Sequence, residues 1–65
     1  MKSEVIIEKA VDNHLWGRIY YNDDLLITNG KTTDEIIKNF QEQFEAFYNL
    51  ATDKSNFEIQ LIQTT

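Results

Sequence analysis

Three pairs of neighbouring carboxylates and one histidine are the residues whose types could do acid–base or two-metal chemistry: Glu8 with Asp12, Asp23 with Asp24, Asp34 with Glu35, and His14. Each pair sits in or beside an expected turn or helix start, where solvation and capping account for a carboxylate without any reaction. His14 falls at a strand entry two residues after Asp12 and reads as a solvated turn residue. The chain has no cysteine, so thiolate ligation and disulfides are excluded, and a lone histidine needs carboxylate co-ligands to hold a metal. No serine or threonine lies in a strand–turn–helix nucleophile context, and two glycines do not make a phosphate-cradling loop. The expectation is a chain without catalytic residues, metal ligands, cofactor or small-molecule substrate, which is not an enzyme and acts by binding another protein.

The elements that would carry such a surface are legible in order. Glu4-Val5-Ile6-Ile7-Glu8 is short and β-branched, and reads as a strand. Asp12-Asn13 supplies turn residues that tolerate a left-handed backbone. Leu15-Trp16-Gly17-Arg18-Ile19-Tyr20-Tyr21 reads as a second strand, Asn22-Asp23-Asp24 as the next turn, and Leu25-Leu26-Ile27-Thr28 as a third strand that Asn29-Gly30 ends. A helix follows, with Thr32 as N-cap and Glu35 as its reciprocal partner in a capping box. Its apolar stripe is Ile36, Ile37, Phe40, Phe44, Phe47, Tyr48 and Ala51. About nineteen residues at about 1.5 Å each make it about 28 Å long. Asp53-Lys54-Ser55-Asn56 reads as a polar loop, and Phe57 to Gln63 as a fourth strand.

The fold class is therefore α+β, in the order β-β-β-α-β. Three strands alternate as a meander, and a right-handed crossover through the helix returns the fourth beside the first. The predicted result is a four-stranded mixed sheet of order 3-2-1-4 with one helix on one face. A strand glycine marks close approach of another backbone. If the helix packs at Gly17, then Leu15, Ile19, Tyr21, Val5, Ile7, Phe57, Ile59 and Leu61 face it. The opposite face then carries Ile6, Trp16, Arg18, Tyr20 and Ile62, flanked by Glu4, Glu8 and Glu58. Trp, Tyr and Arg dominate binding hot spots, so these five residues are the expected partner or dimer interface. An apolar patch of this kind calls for a homodimer or another protein partner, with edge pairing through strand three or four as a related route.

Sixty-five residues make one domain, which buries about 60% of the surface its unfolded chain exposes. Eleven acidic against six scattered basic residues give a formal net charge of −5. That balance disfavours nucleic-acid binding and favours a basic protein partner. Absence of cysteine points to a reducing compartment, and neither an apolar leader nor a run long enough to span a membrane is present, so a cytoplasmic location is expected.

Gly30-Lys31-Thr32-Thr33-Asp34-Glu35-Ile36 has the Gly-x-Thr-x-x-Glu-(apolar) form that closes the meander and opens the helix in HicB-type antitoxins. With the element order, the Val5-Ile6-Ile7-Glu8-Lys9 start, the helix continuation from Ile37 to Leu50 and the return strand from Phe57, the chain resembles the N-terminal domain of that family over nearly its whole length. The resemblance implies a partial ribonuclease-H-like fold without ribonuclease chemistry. It further implies neutralisation of a HicA-type toxin, a basic nuclease that cleaves messenger RNA, through direct protein contact. Two features depart from the family pattern. There is no Pro-Gly turn between strands two and three, and no separate helix-turn-helix or ribbon-helix-helix DNA-binding domain follows in these residues. A small acidic inhibitor of a host or defence protein, of the kind phages encode, rests on the same physics and stands as the alternative.

Overall fold

The computed structural model describes residues 2–62. Its elements are β1 (Ser3–Lys9), β2 (Leu15–Tyr21), β3 (Asp24–Gly30), α1 (Thr33–Tyr48) and β4 (Phe57–Ile62), with single 3-10 turns at Val11–Asn13 and Lys54–Asn56. The sheet order is β3-β2-β1-β4. β1 and β2 are antiparallel, as are β2 and β3, whereas β4 lies parallel to β1. This is the α+β, 3-2-1-4 arrangement read from the sequence, with one helix on one face. Gln63, the expected last residue of the fourth strand, lies outside the described residues.

Asparagine and aspartate make the reversals. Asp12 and Asn13, in the connection between β1 and β2, have φ of 73° and 61°. Asn22 and Asp23 form a two-residue hairpin with φ of 49° and 66°, the left-handed pair that matches the twist of antiparallel strands. Asn49 closes α1 at φ 52°, its N–H donating to the Glu45 carbonyl at 3.0 Å, while the Leu50 N–H reaches Phe44 at 3.2 Å. These short polar side chains accept the left-handed region at smaller cost than other residues bearing a Cβ.

The helix-facing side of the sheet holds the core: Val5, Ile7, Ile19, Leu26 and Phe57 against Ile36, Ile37, Phe40 and Phe44. Gly17 is buried beneath α1, and a Cβ there would lie 2.7 Å from Ile36 Cγ2 and 3.1 Å from Phe40 Cε2. Helix and sheet thus meet at the residue whose lack of a side chain admits the contact. An aromatic cluster seals the far end, with Tyr21 edge-on to Phe44 at 4.9 Å and to Tyr48 at 5.0 Å.

Several expectations are corrected. β3 continues through Asn29 to Gly30, because Leu15 of β2 still pairs with Gly30. α1 has 16 residues and ends at Tyr48, since the left-handed Asn49 turns the chain away, so Ala51 falls beyond it. Phe47 points outward and is exposed rather than part of the core stripe. Ile59 and Leu61 lie on the helix-facing side, in register with Val5 and Ile7, yet both are exposed. The cause is lateral: α1 rests chiefly over β3 and β2 and stops short of the β4 margin. The Asp53–Asn56 loop is a capped turn rather than a plain polar link. The Asp53 carboxylate accepts from the Ser55 N–H at 2.8 Å, and the Asp53 N–H donates to Asn56 Oδ1 at 2.9 Å. Hydrogen bonds from the Ser55 hydroxyl and then the Ser55 N–H hold the Asp53 carboxyl below the usual carboxylate range.

Candidate functional site

The helix start fixes how α1 leaves the sheet. Thr32 is extended, and its Oγ1 accepts from the Glu35 N–H at 3.1 Å. The Glu35 carboxylate makes no return bond to the Thr32 N–H. Its methylene stem instead lies over Gly30, with Cγ 3.2 Å from where a Cβ would stand. Only half of the expected capping box forms, and Gly30 acts as the floor for the Glu35 stem. The helix that begins here covers one face of the sheet.

The other face is left bare, and strand register shows what it displays. Alternation puts Ile6 and Glu8 of β1, Trp16, Arg18 and Tyr20 of β2, and Ile62 of β4 on it. The five residues singled out from the sequence therefore share one surface. Ile6 lies directly opposite Arg18, Trp16 opposite Glu8, and Ile62 beside Glu8. Two further apolar side chains join them from β3: Leu25 opposite Tyr20 and Ile27 opposite Arg18. Ile6 is half-buried, and the other apolar side chains are exposed, from 38% at Ile62 to 68% at Tyr20 with Trp16, Leu25 and Ile27 between. Leu25 and Ile27 went unassigned in the sequence reading, although the two-residue Asn22–Asp23 hairpin already dictates them. Such a loop sets Tyr21 opposite Asp24, and every second residue thereafter follows.

An ion pair sits in the middle of this apolar field. Arg18 Nη1 donates to Glu8 Oε1, diagonally across β1 and β2, with both side chains partly exposed. Towards one end, Glu4 and Glu58 lie side by side on neighbouring strands. Like charges in that position repel, and neither forms an ion pair among the described residues. The surface thus combines aromatic and aliphatic groups, one oriented guanidinium, and two unmatched carboxylates.

The residues weighed for acid–base chemistry are dispersed by the fold. Glu8 holds Arg18, Asp12 and Asp23 occupy left-handed turn positions, and Asp34 meets Lys54 at 2.8 Å in a highly exposed pair. Asp24 accepts from the Tyr48 hydroxyl at 2.6 Å, and His14 Nδ1 donates to the Asp12 carbonyl at 3.2 Å. Among the described residues no three or more His, Asp or Glu side chains come together where a metal ion could be held. None of the helices described is long and apolar enough to cross a membrane.

No protein-family model, curated protein or solved structure matches the chain. An open groove of about 430 Å³ does lie between β3 and α1, lined by Asn29, Asn39, Gln43 and Phe47 among others. Two of its amides are already engaged with the backbone of β3: Asn39 Nδ2 donates to the Asn29 carbonyl at 3.0 Å and Gln43 Nε2 to the Ile27 carbonyl at 3.3 Å. These two amides are thus directed at the protein's own strand.

Proposed function

We propose that this chain is a non-catalytic protein-binding domain of the HicB-like antitoxin kind, which neutralises a small basic HicA-type ribonuclease by covering it with the bare face of the sheet. One observation carries the reading: Trp16, Tyr20, Leu25, Ile27, Ile6 and Ile62 converge on the face that α1 does not cover. A contiguous apolar surface of that composition is characteristic of protein contact sites. Charge supports a basic partner. The chain carries a formal net charge of −5, and a lysine or arginine placed between Glu4 and Glu58 would relieve their mutual repulsion. The Gly30-to-Ile36 helix opening, which resembles that of HicB-type antitoxins, supplies the class of partner.

The test is titration calorimetry of the purified chain against a HicA-type toxin, paired with growth rescue of cells expressing that toxin. Trp16→Ala and Arg18→Ala are expected to weaken binding by about 2 kcal/mol or more each. Glu42→Ala, on the exposed side of α1, should leave binding unchanged. Binding that Trp16→Ala and Arg18→Ala do not alter would move the contact to another surface. Absence of any binding to such toxins would remove the antitoxin assignment.

A further inference from the structure

The two margins of the sheet are not equivalent. Along β3, the carbonyls of Ile27 and Asn29 point outward and are already occupied by Gln43 and Asn39 of α1. These amides stand where an incoming strand would have to lie, a side-chain cover of the sort that protects natural sheet edges. Along β4 nothing comparable exists among the described residues. After Phe57 the strand is exposed throughout, and Ile59 and Leu61, at 42% and 64%, crop out on the helix-facing side beyond the reach of α1.

We propose that β4 is the self-association edge of this protein, and that a second copy adds its own β4 antiparallel to it about a two-fold axis at Gln60. The strand is its own complement in that register. Gln60 meets Gln60 of the second copy, and Ile59 meets Leu61 on both sides of the axis. The four aliphatic side chains then close into one cluster that continues the row of Val5 and Ile7 across the boundary. Glu58, the one charge on the strand, falls opposite Ile62 instead of opposite itself. The two Glu58 carboxylates are then four residues apart along the strands, about 14 Å. That exceeds the Debye length of about 8 Å at physiological salt, so two acidic chains can approach along this edge. One strand pair falls short of the about 1,000 Å² that stable interfaces bury. The dimer therefore forms at high micromolar concentration and exchanges quickly. Its sheet has eight strands, with the bare faces of both copies on one continuous side. Self-association through β4 needs no partner protein and is independent of any toxin bound at the bare face.

Because the chain has no cysteine, single introduced thiols report the geometry directly. Opposed residues in antiparallel strands have Cα atoms about 4.5–5.5 Å apart, within the span a disulfide bridges. Under mild oxidation at high micromolar protein, Gln60→Cys should crosslink at least about tenfold faster than Tyr20→Cys, which reports a dimer through the bare face, or Ile27→Cys, which reports the β3 edge. Leu61→Lys on the Gln60→Cys background should abolish the crosslink while the far-UV circular dichroism is retained. If Leu61→Lys does not fold, the ranking of the three thiols decides alone. Equal or faster crosslinking at Tyr20→Cys or Ile27→Cys, or sedimentation of the unsubstituted chain as a monomer at high micromolar concentration, overturns the proposal.

Discussion

Gly17 and Tyr48 show how single residues set the geometry of this small domain. Gly17→Ala would drive a methyl group into Ile36 and Phe40, both fully buried, and neither can retreat without disturbing the packed helix. The expected cost is about 1–3 kcal/mol, the usual range for overpacking a well-filled core, measured as a lowered urea midpoint at unchanged slope. Tyr48 ties the last turn of α1 to the β2–β3 hairpin through its bond to Asp24. That hydrogen bond, with lesser contributions from burial and from the Asp24 charge, pushes the phenol up to about 12. A phenol ordinarily ionises near about 10. Its folded-state value is raised, so the stabilisation is complete below about pH 10 and drains away as pH climbs towards about 12. Tyr48→Phe should lose this contribution at neutral pH, and the two proteins should converge in stability as the medium becomes strongly alkaline. Parallel denaturation curves across that window check it.

The cap of α1 is the element most exposed to a single change. Thr32→Ala removes the acceptor for the Glu35 N–H and should lower stability by about 0.5–2 kcal/mol, a sizeable share for a domain of this length. An unchanged melting temperature would show that the helix nucleates elsewhere. Elements announced by local chemistry were legible in the sequence. The Asn and Asp reversals, the Thr32 cap and the facing of Gly17 follow from residues within a few positions of one another, and the strand order from the meander and the right-handed crossover. What escaped depends on longer-range placement. The end of α1 at Tyr48 follows from the left-handed Asn49, which periodicity alone does not announce, whereas Phe47 is exposed because it borders the open groove beside β3. The exposure of Ile59 and Leu61 follows from where the helix lies across the sheet, a lateral coordinate that no strand pattern encodes. Within the candidate site, the five residues expected on the bare face do share it. Leu25 and Ile27 were missed because β3 was not carried through the hairpin register.

At the scale of the whole molecule, the parallel pairing of β4 with β1 has a kinetic consequence. Residues 3 and 57 are neighbours in the sheet, so nearly the whole chain must be organised before that ladder can close. The β2–β3 hairpin needs only a two-residue loop, and α1 draws on its own cap. The hairpin and helix can therefore nucleate together, leaving β4 to dock last. The same strand receives little cover from α1, so it should also be the first to come away. Native-state hydrogen exchange should find amides of Ile59 to Ile62 releasing protons by local opening well below the global unfolding free energy, while Ile19 and Leu26 exchange only when the whole molecule unfolds. Uniform protection across all four strands would contradict this order. If it holds, a chain emerging from synthesis stays open along β1 until β4 has been made. During that interval the margin of β1 offers an unfilled place to any extended segment.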